Sequence, residues 1–279
     1  MKMRSVSRPL TLALALLAAT PALANKAFVS NERGNTITVV DTDTWEVITE
    51  FPGGNRPRGI TISPDGTKLY VCASDDNLVR VFDTETYKEI GTLPSGPDPE
   101  LFVISSDGKH LYIANEDDNL VTVTDTEQGV VLAEVPVGVE PEGMGISPDE
   151  KWVVNTSETT NMAHWIDTET QTLFANTLVD ARPRHAEFVK EGAELWVSSE
   201  IGGTITVFDT ATQAETAKIG FEVAGVHPDR VQPVGFELTA DGSTAFVALG
   251  PSNHVAVVNA RSFEVEDYIL VGRRAWHMA

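Results

Sequence analysis

Ser63-Pro64-Asp65-Gly66, then Lys68-Leu69-Tyr70-Val71-Cys72-Ala73, then Leu78-Val79-Arg80-Val81-Phe82-Asp83-Thr84: the fold is decided in this stretch. A Pro-Asp-Gly turn leads into two apolar runs, and Ser74 to Asn77 forms a polar turn between them. β-branched and aromatic runs punctuated by Gly, Asn and Asp at hairpin spacing predict short strands. The Asp that closes the second run recurs. Val40-Asp41-Thr42, Phe82-Asp83-Thr84, Thr124-Asp125-Thr126, Ile166-Asp167-Thr168 and Phe208-Asp209-Thr210 follow at steps of 42 residues, and Val258-Asn259-Ala260 follows after 50. A second marker keeps the same beat: Ser63-Pro64-Asp65-Gly66, Ser105-Ser106-Asp107-Gly108, Ser147-Pro148-Asp149-Glu150, Lys190-Glu191-Gly192 and Ala240-Asp241-Gly242.

Two markers in phase define a repeat. Within one unit the pattern predicts four strands, at Pro57 to Ser63, Lys68 to Ala73, Leu78 to Asp83 and Tyr87 to Thr92. No stretch sustains a helical period. A four-stranded unit of this length is the signature of a propeller blade, which buries its faces by stacking on its neighbours. The expected fold is all-β: a β-propeller of four-stranded blades with about six repeats, forming a single domain over 25–279.

Phe28-Val29-Ser30-Asn31, Tyr70-Val71-Cys72-Ala73 and Tyr112-Ile113-Ala114-Asn115 resemble the Tyr-Val-Thr-Asn signature of the YVTN β-propeller repeats. Val231-Gln232-Pro233-Val234-Gly235 and Ala245-Phe246-Val247-Ala248-Leu249-Gly250-Pro251-Ser252-Asn253 carry a narrower likeness to the periplasmic propellers associated with PQQ-dependent alcohol catabolism. The resemblance implies a seven-bladed ring and an accessory role beside quinoprotein dehydrogenases. It brings no established catalytic residue to carry over. By the repeat beat, this chain stops at Trp276-His277-Met278-Ala279 with the C-terminal end of a seven-bladed ring missing. The first unit lacks a Pro-led strand, and Arg273 to Ala279 reads as one. Either that strand pairs beside Lys26 to Asn31 and closes six blades, or the ring stays open with a raw edge. We expect closure, against an opposing loop-closure entropy.

Lys2, Arg4 and Arg8, the apolar run Leu10 to Ala19 and the small-residue site Ala22-Leu23-Ala24 read as a secretory signal over 1–24. The mature chain is therefore expected to begin at Asn25, in the periplasm. The apolar run is too short to span a bilayer, so no membrane insertion is expected. Net charge is −21, with 41 acidic residues against 20 Lys plus Arg. That weighs against nucleic acid and anionic membrane, and points to a basic protein, a cation or a neutral small molecule. Acidity also keeps an exported protein in solution. Cys72 in an apolar strand reads as a buried thiol, and no Cys-x-x-Cys-His is present for covalent haem.

The Pro-led starts read Arg56-Pro57-Arg58, Asp98-Pro99-Glu100, Glu140-Pro141-Glu142, Arg182-Pro183-Arg184 and Gln232-Pro233-Val234. In a blade the first strand runs down the channel and the second returns, so these starts share a face with the second-to-third hairpins. At this channel mouth Arg58, Glu100, Glu142 and Arg184 read as inter-blade ion pairs or as a charged pocket for a small polar ligand. The next ring position runs Gly59, Leu101, Gly143, His185, Gly235, His277. Its two His residues are hydrogen-bonded side chains in a wet channel, or groups that ligate metal or relay protons. Glu32, Glu116, Glu158 and Glu200 share one hairpin position, either solvated and paired with Arg or forming an acidic landing surface for a basic partner. The eight-residue insertion around His227, within Phe221 to Gln232, falls on the same face. The Asp-Gly turns and Asp-Thr stops opposite need only turn chemistry.

No phosphate loop, Gly-x-Ser-x-Gly elbow or His-Glu-x-x-His is present, so no catalytic residue, metal or bound cofactor is assigned. The leading expectation is a non-enzymatic accessory propeller whose partner is a quinoprotein dehydrogenase or a basic cytochrome c. One alternative is a lactonase-like or quinoprotein-dehydrogenase-like enzyme working at the channel mouth. Another is a cell-surface structural or adhesion propeller.

Overall fold

Six antiparallel sheets follow one another along the chain in a computed structural model that describes residues 25–279. The expected signal segment, 1–24, lies outside the described residues. Blade 1 has three strands, β1 (Lys26–Asn31), β2 (Thr36–Asp41) and β3 (Val47–Pro52). Five four-stranded blades follow. Blade 2 holds β4 (Pro57–Ile62), β5 (Lys68–Ala73), β6 (Leu78–Asp83) and β7 (Glu89–Pro94). Blade 3 holds β8 (Pro99–Ile104), β9 (His110–Asn115), β10 (Leu120–Asp125) and β11 (Val130–Pro136). Blade 4 holds β12 (Pro141–Ile146), β13 (Trp152–Ser157), β14 (Met162–Asp167) and β15 (Thr172–Leu178). Blade 5 holds β16 (Pro183–Val189), β17 (Glu194–Ser199), β18 (Thr204–Asp209) and β19 (Glu215–Gly220). Blade 6 holds β20 (Phe236–Leu238), β21 (Thr244–Ala248), β22 (His254–Asn259) and β23 (Val265–Leu270). The protein is a six-bladed β-propeller. The fourth strand of blade 2 begins two residues later than the pattern predicts, because Tyr87 takes a left-handed φ of 58° within the turn.

The core lies between blades rather than inside them. Tyr70, Cys72, Val79 and Val81 of blade 2 pack on Phe102, Leu111 and Ile113 of blade 3. Trp152, Val154 and Trp165 of blade 4 pack on Ala186, Leu195 and Val197 of blade 5. Cys72 is fully buried, as expected, and burial pushes its thiol pKa up.

Local hydrogen bonds explain the two markers. Asp83 Oδ1 accepts from the backbone N–H of Thr86 at 2.7 Å and from its hydroxyl at 2.7 Å, which closes the turn after the third strand. The next residue clips that turn to the Asp-Gly turn: the Thr84 hydroxyl donates to Gly66 O at 2.7 Å, and Thr126 does the same to Gly108 O at 2.6 Å.

A third device joins consecutive blades. Asn35, Asn77, Asn119, Asn161 and Asn253 sit in the second-to-third hairpins with φ between 54° and 62°. Each side-chain Oδ1 accepts the backbone N–H of the residue 21 positions on, namely Arg56, Asp98, Glu140, Arg182 and Arg274, at 2.9 to 3.2 Å. Asn tolerates the left-handed region and still offers an acceptor, which Gly does not. Next to each of the first four clasps the inner strand carries a register shift against its neighbour, as between Pro57 and Ile60. Such bulges re-aim the side chains at the channel mouth.

Closure by the C-terminal strand does not occur. Arg273 to Ala279 packs along blade 6 instead of beside β1. Ala275 bridges to Gly250, and Gly235 donates its N–H to Trp276 O at 2.9 Å. Two local features direct it there. Asn253 clasps Arg274, as the other Asn residues clasp the start of each blade. Gly235 has no Cβ, and one added there would meet the His277 Cα at 2.8 Å. Among the described residues no hydrogen bond, ion pair, aromatic contact or core cluster joins blade 1 to blade 6. Val29 on β1 is accordingly 46% exposed, whereas Val71 and Ile113 at its repeat position are fully buried. No helix among the described residues is long and apolar enough to cross a membrane.

Candidate functional site

The Pro-led starts and the hairpins that clasp them converge on one continuous ion-pair lattice. In blade 2, Arg56 contacts Asp98 at 3.0 Å, Glu100 at 2.8 Å and Glu32 at 3.3 Å. Arg58 pairs with Glu100, with Glu142 at 3.0 Å and with Glu32 at 3.4 Å. In blade 5, Arg184 pairs with Glu158, with Glu142 at 3.1 Å and with Glu200 at 2.7 Å. Arg182 lies 2.9 Å from Glu158 and 3.2 Å from Glu200. The lattice thus spans blades 1 to 5. Burial opposes the charge on Arg184, but Glu142, Glu158 and Glu200 overcome it and raise the guanidinium pKa. Burial raises the Glu158 carboxyl to about 7, with Arg184 pulling the other way. Burial and the neighbouring Glu142 push Glu100 up as well, against the pull of Arg58.

Arg58, Glu100, Glu142, Arg184, Glu116, Glu158 and Glu200 therefore come together. The landing-surface reading is corrected for two of them: Glu158 and Glu200 are buried, because their hairpins fold onto Arg184. Glu32, Glu116 and Asp75 remain at the rim, with side chains 49%, 26% and 62% exposed. His227 stands apart. It is 71% exposed, and its ring accepts only the N–H of Asp229 in its own loop, at 3.4 Å.

Asp98, Glu100 and Glu116 bring three carboxylate oxygens within 4.8 Å, a spacing that suits a metal ion. The Arg56 guanidinium already sits among them, 2.8 Å from Glu100 and 4.0 Å from Glu116. It acts as the resident cation. A hollow of about 190 Å³ opens beside the lattice between blades 4 and 5, lined by Glu140, Glu158, Asn161 and Arg182. A second, of about 350 Å³, lies at the insertion between His227, Arg230 and Pro251.

One residue beyond the lattice on each inner strand, His185 stacks edge-to-face on His277 with centroids 5.0 Å apart, and on Phe236 at 4.8 Å. Burial lowers the pKa of the His185 imidazole to about 4. Trp276 covers the Arg184 guanidinium at 5.3 Å. The sequence reading missed Glu187 and Glu237. They share a repeat position with Thr61, Val103 and Gly145, and that column of unlike residues was the available signal. Burial raises the Glu187 carboxyl to about 7.

The fold and this mouth define a β-propeller with a charged channel. A family model described as "Lactonase, 7-bladed beta-propeller" matches residues 23–134. No curated protein matches the chain. Among solved structures it resembles hydrazine synthase from Kuenenia stuttgartiensis, at 20% identity and a TM-score of 0.82, covering 90% of this chain and 85% of that one. It also resembles a functionally unknown protein from Desulfotomaculum acetoxidans, at 18% identity and a TM-score of 0.74, covering 90% and 83%. Likeness at these identities concerns the fold alone.

Proposed function

We propose that the protein is an exported, non-enzymatic binding propeller that recognises a basic partner through the rim of its channel mouth. Its setting is the periplasmic, PQQ-dependent alcohol oxidation that the narrower likeness at Val231 to Gly235 and Ala245 to Asn253 implies. The observation that carries this reading is a charge imbalance. Four guanidinium groups, Arg56, Arg58, Arg182 and Arg184, are shared among eight carboxyl groups. Each of these four arginines is already paired, and Asp75, Glu32 and Glu116 stand at the exposed rim together with Arg56 and Arg182. The hollow beside the lattice is also smaller than the roughly 300 Å³ at which small-molecule pockets begin, and the larger one at the insertion shares no lining residue with it. A mouth of net negative charge steers a protein of the opposite charge.

The test is surface plasmon resonance with a basic c-type cytochrome as the probe. Association should slow as salt rises through the physiological range. Asp75→Lys with Glu116→Lys should slow it further, whereas Glu85→Lys with Glu127→Lys on the opposite face should not. Equal effects from both pairs would leave only general acidity, and the reading fails.

A lactonase-type hydrolase is the second reading, favoured by the family match over 23–134. Turnover of simple lactones that is lost in Glu100→Gln would put it first.

A further inference from the structure

The last strand of every blade is a sheet edge on the outer circumference. Such an edge carries a row of unpaired backbone N–H and C=O groups, and charge or proline placed on it discourages pairing between chains. Among the described residues, five of the six outer strands carry an exposed carboxylate: Glu50 on β3, Glu89 on β7, Glu134 on β11, Glu215 on β19 and Glu266 on β23. Three of them, β3, β7 and β11, also end on proline. The outer strand of blade 4 departs from this rule. Its seven residues, Thr172-Leu173-Phe174-Ala175-Asn176-Thr177-Leu178, include neither a charge nor a proline. Leu178 is 69% exposed and Phe174 57%. On blade 3 the adjoining β11 exposes Val130, Val131 and Leu132, which widens the apolar band. The Val179 N–H donates to Asn161 O, on the β14 side. By the alternation of an antiparallel ladder, Asn176 and Leu178 therefore turn their own N–H and C=O groups outward.

Two facts choose the occupant. The chain carries a net charge of −21, so two copies repel each other least where they meet on an uncharged surface. A basic partner is drawn to the acidic mouth instead, since β15 offers it no charge. An antiparallel edge also complements itself: about a two-fold axis, each outward N–H meets an outward C=O of its mate. We propose that β15 pairs antiparallel with β15 of a second copy, so that blade 4 of each chain runs into one continuous sheet. The bulge at Phe174, opposite Trp165 and Ile166 of β14, confines the pairing to the stretch from Ala175 to Leu178. This pairing uses the outermost strand and leaves the channel mouth free, so it stands apart from recognition of a basic partner.

The experiment is analytical ultracentrifugation of the full mature chain over a concentration series, at low and at high salt. The expected result is a monomer–dimer equilibrium that tightens as salt rises, because screening relieves repulsion between two acidic copies. Binding of a basic partner at the mouth has the opposite salt dependence, so either reading can fail without the other. Leu178→Glu should weaken the dimer by about tenfold or more, since it sets a desolvated carboxylate beside its mate. Leu270→Glu adds the same charge at an equally exposed leucine on β23, and should weaken it by less than about threefold. Amide exchange at Asn176 and Leu178 of the wild type should slow as concentration rises, which tests the pairing without any variant. A chain that stays monomeric, a dimer that weakens as salt rises, equal losses from the two variants, or unchanged exchange along β15 would each overturn the assignment.

Discussion

Arg58 on β4 donates from Nη2 to Glu142 Oε1 on β12 at 3.0 Å, passing over the blade between them. The same oxygen lies 3.1 Å from Arg184 Nη1. One carboxylate oxygen therefore joins the two basic blades of the ring. Removing one member of a buried charge cluster leaves the others uncompensated, which is more damaging than never having had the pair. Glu142→Gln should destabilise the fold by roughly 1–3 kcal/mol, less than the full penalty because Arg58 and Arg184 keep other partners. Urea unfolding read against Glu127→Gln, which should be neutral, checks the value. A loss no larger than that of the control would mean the bridge contributes nothing.

The Glu158 carboxyl is buried and raised to about 7 from 4.5. A raised acid contributes stability in its protonated form, fully present below pH 4.5 and lost as pH climbs through 7. Glu158→Gln cannot lose a proton. Its stability relative to wild type should therefore improve across that window by on the order of 1–3 kcal/mol. Thermal unfolding of both proteins from pH 4.5 to 8 measures the trend, and a difference independent of pH would contradict it.

Asn77 combines a φ of 56° with a side-chain bond to the Asp98 N–H at 3.0 Å. Asn77→Gly keeps the backbone conformation and loses the acceptor, whereas Asn77→Ala loses the acceptor and adds left-handed strain. The expected order of stability is Asn, then Gly, then Ala, with Ala lower than Asn by about 1–3 kcal/mol. Ala matching Asn in a denaturant titration would remove the clasp from the account of blade-to-blade coupling.

Gly235→Ala would place a methyl group 2.8 Å from the His277 Cα. Backbone cannot yield as a flexible side chain does, so the segment from Arg274 to Ala279 should leave blade 6. Trp276 would then lose its place beside Arg184, and its fluorescence should shift to the red. Subtracting the spectra of matched Trp276→Phe proteins isolates that one indole. An unshifted difference spectrum would show that the segment stays seated.

The propeller was legible because its markers are local and periodic: an Asp closing a turn and a Thr clipping it work the same way in every unit. The meeting of Arg58, Glu100, Glu142 and Arg184 was legible for the same reason, since one repeat position maps to one ring position. The seat of the C-terminal strand was not. Its address is set by the Asn253 acceptor and the missing Cβ of Gly235, and neither shows in a strand pattern. The pairing of Glu158 and Glu200 with nearby arginines was legible, but their burial was not, because hairpin tips are usually solvated and only the fold brings Arg184 beneath them. Glu187 and Glu237 were missed because nothing in one chain's polar alternation tells outer solvent from the inside of a channel.

Each asparagine clasp holds a backbone N–H and ignores the side chain of the residue that carries it. Arg56, Asp98, Glu140, Arg182 and Arg274 are seated by the same bond in the same left-handed conformation, although their charges differ in sign. The ring is thus a row of sockets whose position is fixed before their occupant is chosen. A charge pattern for another partner could be written into those five places while the asparagines, and the stacking of the blades, stayed as they are.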